Sequence, residues 1–197
     1  MMLLNEFCQM LTQLNFKYKG DVLEFGTGPA NSTRFLGSSL TDRRVLTFDG
    51  FVGLPETKRG IPTNTEWYVG NYAYDYNTIK NQLAFLPNVE VYQRMSWDLI
   101  DPKEFNITKI SGINIDFDLY EGTIDALHFS DKCEWDSLLV RFDDWGAYPH
   151  QVASEVDAHE KAAFYDWIAE TNYKYNELVD LTTRANGLQS IFEVTRK

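Results

Sequence analysis

Apolar and polar positions alternate along the chain between two periods. Leu3, Leu4, Phe7, Leu11 and Leu14 recur at helical spacing and predict an amphipathic first helix over 3–16. The apolar run DVLEF (21–25) predicts a strand that leads into GTGPANSTRFL. There the glycines turn the chain, and Asn31 or Ser32 is expected to cap a helix reaching about Leu40. Further strands are expected at RVLTF (44–48), VEVYQ (89–93), SGINIDF (111–117) and SLLVRF (137–142). Helices are expected at YNTIKNQLAFL (76–86), GTIDALHFSDKC (122–133) and roughly 155–170, whereas 50–76 has no period and reads as loop. YNELVDLTT (175–183) and LQSIFEVTR (188–196) flank Ala185-Asn186-Gly187, a hairpin-turn sequence. Strands alternating with helices predict an α/β fold. Its sheet is open, mainly parallel and covered on both faces, with an antiparallel hairpin at one edge, and it forms one unit over 1–197.

Composition narrows the classes. The chain has 197 residues, 44% of them hydrophobic, enough for one well-buried core. No apolar run approaches 18 residues, so no membrane span is expected, and the N-terminal stretch reads as helix rather than signal peptide. Cys8 and Cys133 sit on predicted helices without metal-like spacing and read as reduced core thiols of a cytoplasmic protein. Eighteen basic against 29 acidic residues leave a net charge of −11, which repels a nucleic-acid backbone and suits a cationic ligand or metal ion.

In an open parallel sheet, ligands bind beyond the carboxyl ends of the strands. Those ends carry GTGPANST, DGFVGLPE, RMSWD, DFDLYEGT and DDWGAYPH, and four of the five contain carboxylates. In the first, Glu24 precedes Gly26 and Gly28, which let a ligand approach the backbone. The third glycine of a dinucleotide fingerprint is replaced by Asn31, and an acid ahead of the glycines disfavours a pyrophosphate. Glu24 suits a ligand with an amino group and a positive centre, such as S-adenosylmethionine, and Asp49 suits its ribose hydroxyls. Bland readings stand beside these: a lysine partner for Glu24, and an ordinary turn at Asp49-Gly50.

VLEFGTGPANSTRFL, FDGFVGLPE, IDFDLYEGTIDAL and FDDWGAYP, in that order over about residues 20–150, resemble the motifs of the macrocin O-methyltransferase family. The resemblance implies a Rossmann-like class I methyltransferase: a three-layer αβα sandwich around a seven-stranded sheet. It also implies magnesium-assisted methylation of a sugar hydroxyl. Cofactor contacts would fall on Glu24, Gly26, Thr27, Gly28, Ser32 and Thr33, on Asp49, Gly50 and Phe51, and on Ser96 and Trp97. The chain departs from the family in a shorter N-terminus, where a lid would lie, and in Asp116-Phe117-Asp118 for the usual Asp-Gly-Asp.

Strands four and five are expected to be neighbours, bringing Asp116 to Asp143 and Asp144. Three close carboxylates without His or Cys point to a hard cation, Mg²⁺ first. Adjacent Asp143 and Asp144 can both ligate only if the strand ends there. Asp116 is a candidate base, with His150 or a water as alternatives, and Asp118 is placed behind it or as a helix cap. The competing picture has Asp143-Asp144 capping a turn and Asp116 paired with an arginine such as Arg94. Tyr120, Trp145 and Tyr148 are the acceptor-side candidates among many aromatics, which include Trp67, Tyr68, Tyr72, Tyr74 and Tyr76. The expected partner is a small-molecule acceptor, a sugar or other vicinal diol; a homo-oligomer is left open. A non-catalytic adenosine-binding module and an NAD-linked oxidoreductase remain the rival classes.

Overall fold

The computed structural model describes residues 2–15, 17–180 and 188–196. Helix α1 (Met2–Gln13) precedes strand β1 (Asp21–Phe25), α2 (Asn31–Ser39), β2 (Val45–Asp49), α3 (Tyr76–Leu83) and β3 (Val89–Gln93). Then come β4 (Ile110–Ile115), α4 (Tyr120–Asp131), β5 (Ser137–Phe142), α5 (Ala153–Val156), α6 (Glu160–Thr171), β6 (Lys174–Asp180) and β7 (Ser190–Thr195). The seven strands form one sheet in the order β3-β2-β1-β4-β5-β7-β6. β3 through β5 pair in parallel, and β7 runs antiparallel to both β5 and β6. The expected fold class is the one observed. The turn at Ala185-Asn186-Gly187 lies outside the described residues.

Register decides which face each side chain serves. Val22, Val45 and Leu139 pack beneath α1 and α2 with Leu3, Phe7, Leu11 and Leu36. Their strand neighbours Leu23, Phe25, Phe48, Val140 and Phe142 turn the other way, against Phe129 of α4 and Phe164 and Trp167 of α6. On the α4/α6 side Phe48 lies 5.0 Å from Phe105 and Phe164 lies 4.5 Å from Phe192 between ring centroids, so aromatic contacts fill most of that layer. Cys8 and Cys133 are buried and unbridged, as expected.

Two local expectations are corrected. Helix α2 is not capped by Asn31 or Ser32; the chain enters it through Ala30 in the left-handed region (φ 66°), with no side-chain cap. The helix expected over 155–170 is two pieces, α5 and α6, and its break places His159 and Glu160 in the interior. Among the described residues no helix is long and apolar enough to cross a membrane.

Candidate active site

The C-terminal ends of β1, β2, β4 and β5 open into one cavity of about 600 Å³. Gly26, Gly28, Asp49 and Gly50 line one end, with Met95, Ser96 and Trp97 beside them. Asp116, Asp118, Asp143 and Asp144 line the other, below Trp67, Tyr72, Tyr148 and His150.

The first end is built by backbone geometry. Gly26 has φ +96°, and a Cβ there would fall 1.8 Å from the Asp116 carbonyl oxygen. Only glycine lets β1 and β4 close up at this point. The Asp49 carboxylate accepts the N–H groups of Thr27 (3.0 Å), Gly28 (3.0 Å) and Phe51 (2.6 Å), clamping the glycine loop. Burial nonetheless keeps its pKa above the ordinary value, against those three donors. Thr27 is buried with its hydroxyl on Thr47, and Phe51 packs on Tyr76; neither lines the cavity. Ser96 donates to Asp125 (2.7 Å), and Trp97 stands 58% exposed at the rim.

Glu24 is elsewhere. It is fully buried on the α1/α2 face and does not line the cavity. Its carboxylate takes the hydroxyls of Thr33 and Ser32 and the amide of Asn114 (3.1 Å), and burial raises its pKa. The expected direct contact with a ligand amino group is therefore not available to it, nor to Ser32 and Thr33, which hold it.

The second end gathers the three aspartates. β5 stops at Phe142, and Asp143 N–H bonds to the Ile115 carbonyl (3.0 Å), leaving Asp143 and Asp144 beyond the strand where both can face Asp116. Asp116, Asp143 and Asp144 each offer an oxygen within 4.8 Å of the others. Asp118, at φ 58°, does not cap α4; its carboxyl hydrogen-bonds that of Asp144. Glu160 lies beneath, accepting the N–H groups of Asp144 (3.0 Å) and Phe117 (3.3 Å). Burial, and then the neighbouring carboxylates, push Asp116, Asp118, Asp144 and Glu160 well above the usual carboxylate range. A centre so short of positive charge, with oxygen donors alone, fits a hard divalent cation.

The arginine at this centre is Arg141, not Arg94. It is 2% exposed, and its guanidinium donates to Asp143 and to Asn114; Gln189 also donates to Asp143 (2.6 Å). Arg94 lines the cavity but donates to the Gln93 carbonyl.

Of the acceptor-side candidates, only Tyr148 lines the cavity; it is 48% exposed and stacked on His150. Tyr120 lies outside, its hydroxyl on Asp166 (2.9 Å) and its ring under the Arg59 guanidinium at 3.4 Å. Trp145 turns into the core between Phe142, Phe164 and Phe192. From the loop over 54–73, Leu54, Pro55, Asn64, Trp67 and Tyr72 line the cavity. Thr57 and Lys58 bond to Glu121, Asn64 to the His150 carbonyl, and His159 to the Gly60 carbonyl. Burial lowers the His159 pKa; the ring accepts the Tyr120 N–H, so both its nitrogens are engaged in holding backbone.

No family model matches the chain, and no curated protein matches it by sequence. Solved structures do. The O-methyltransferase NovP aligns over 98% of this chain and 79% of its own, with a TM-score of 0.69 and 18% identity. CalS11, a calicheamicin methyltransferase, aligns over 94% of this chain and 76% of its own, at 0.68 and 15%. The fold is that of the O-methyltransferases. A third, the O-methyltransferase from Bacillus cereus in complex with SAH, aligns over 97% and 80%, at 0.57 and 17%. Identities this low carry the architecture, so the chemistry rests on the methyltransferase-fold cavity of this chain itself.

Proposed function

We propose that the protein is an S-adenosylmethionine-dependent O-methyltransferase, acting with a divalent ion, Mg²⁺ first, on a hydroxyl of a sugar or other vicinal-diol small molecule. One observation carries this reading: a single cavity joins the glycine loop and Asp49 to Asp116, Asp143 and Asp144. NovP and CalS11 bear methyltransferase names and share the fold, which supports the same reading.

The chain's residues divide the work. Gly28 would leave backbone room for the cofactor, while Gly26 and Gly50 let Asp116 and Met95 close in beside it; Asp49 would hold its ribose, and Ser96 and Trp97 would lie by its base. Asp116, Asp143 and Asp144 would hold the ion. When bound, the ion lowers the pKa of a coordinated hydroxyl and S-adenosylmethionine supplies the methyl group. Asp116, whose backbone meets Gly26 and whose carboxylate belongs to the acidic centre, would take the hydroxyl proton. Tyr148 and Tyr72 present flat faces to the acceptor. Methyl transfer then depends on alignment of the two reactants, which the fixed strand ends provide.

Calorimetric titration tests this. S-adenosylhomocysteine should bind wild type, NAD should not, and Mg²⁺ should bind wild type but not Asp143→Asn/Asp144→Asn. Tight NAD binding without S-adenosylhomocysteine binding would overturn the reading. S-adenosylhomocysteine binding without a metal site would reduce it to an adenosine-binding module.

A further inference from the structure

A row of polar side chains crosses the middle of the sheet where apolar residues belong. Thr47, Glu24, Asn114 and Arg141 are register partners on β2, β1, β4 and β5, and all four are buried. The hydrogen bonds run along the row. Thr33 of α2 donates to Glu24, Asn114 donates to Glu24 and accepts from Arg141, and Arg141 donates to Asp143. A buried ionic row of this kind costs more to desolvate than well-packed apolar residues of the same volume. Stability alone therefore does not account for it. Its end at a candidate metal ligand does.

We propose that Arg141 is the positioning residue of the metal centre: held through Asn114 and Glu24, it fixes the Asp143 carboxylate and sets one positive charge against the cluster's carboxylates. The inference rests on the metal reading above and goes beyond it by assigning the residue that tunes the centre's charge. Arg141 and Gln189 both donate to Asp143 Oδ1, which leaves Oδ2 to face the ion. Asp118 and Glu160 adjoin the three aspartates, so carboxylates outnumber the one guanidinium that donates to them. Without the arginine the centre is more negative by one charge, and a trication gains more from the added field than a dication does. Arg141 thus acts on ion choice through Asp143 and touches no reactant.

The test uses the full chain and two ions, Mn²⁺ followed by electron paramagnetic resonance and Tb³⁺ followed by luminescence. Arg141→Met should raise the Tb³⁺-over-Mn²⁺ affinity ratio by about tenfold or more. Arg141→Gln, which retains an amide donor toward Asp143, should do the same and serves if the methionine variant does not fold. Arg141→Lys restores the charge and should return the ratio toward wild type. Unchanged ratios in both neutral variants, with both ions bound, overturn the inference while leaving the metal reading intact. Failure of wild type to bind either ion removes the metal reading and this inference together.

Discussion

Replacing Gly26 with alanine sets the closeness of β1 and β4 against the folded state. The added Cβ would lie 1.8 Å from the Asp116 carbonyl oxygen, a backbone atom. Ordinary contact requires about 1.5 Å of separation between the strands. That movement strains the bonds Asp116 N–H to Phe25 O (2.8 Å) and Gly26 N–H to Phe48 O (2.9 Å), about 1 kcal/mol each. Holding a non-glycine residue at φ +96° adds about 1–3 kcal/mol, and repacking around the shifted strands about as much again. The total is about 4 kcal/mol or more. With a urea m-value of about 2 kcal/mol/M, the unfolding midpoint should fall by about 2 M. Gly28→Ala is the control. Its Cβ meets nothing nearer than Tyr74 at 3.9 Å, so the fold should lose only about 1–2 kcal/mol. Because Gly28 lines the cavity, S-adenosylhomocysteine affinity should instead fall about tenfold or more, the added methyl occupying cofactor space. A Gly26→Ala midpoint within about 0.5 M of wild type would refute the close approach.

Burial pushes the Cys8 and Cys133 thiols up to about 12, so native protein should resist a thiol reagent at pH 8 and react only after unfolding. Because these pKa values are raised in the fold, their stabilising effect is complete below the unfolded value near 9 and is lost between pH 9 and 12. At pH 10 that is about 1.4 kcal/mol per thiol, so urea midpoints of wild type should drop more steeply from pH 8 to 10 than those of Cys8→Ala/Cys133→Ala. Equal slopes would contradict the burial. Trp145→Ala should cost about 3–5 kcal/mol in thermal or urea unfolding, because the ring is packed among Phe142, Phe164 and Phe192. A stable variant with weakened acceptor binding would return Trp145 to the cavity. Tyr120→Phe, by the same placement, should leave S-adenosylhomocysteine and metal affinities within about twofold of wild type, as calorimetry can check.

The strands and the acidic centre were readable in the sequence because both depend on short-range pattern. DVLEF, VEVYQ and SLLVRF are strands with the expected bounds, and Asp116, Asp143 and Asp144 follow from which strand ends are neighbours. Facing was less readable. A strand buried on both sides has no polar alternation, so nothing in DVLEF says whether Glu24 points to the cavity or to α2. Trp145 and Tyr120 sit beside the aspartates in sequence, but turns at Asp144 and Leu119 send one into the core and the other to the outer surface of α4. Glu160 was invisible because it depends on a helix break inside an alanine-rich window. Arg141 did leave a trace: a lone cation in an otherwise apolar strand requires a buried partner.

The place of β7 in the sheet has a consequence for the acidic centre. It follows β6 in the chain yet lies inside it, against β5, so β6 reaches the rest of the sheet through β7. Gln189 and the Leu188 carbonyl, which grip Asp143 and the Trp145 N–H, arrive with that pair from 46 and 43 residues downstream. The second donor to Asp143 therefore depends on the docking of β7 against β5. A chain ending short of residue 188 would keep the Arg141 donor to Asp143 and lack the Gln189 one.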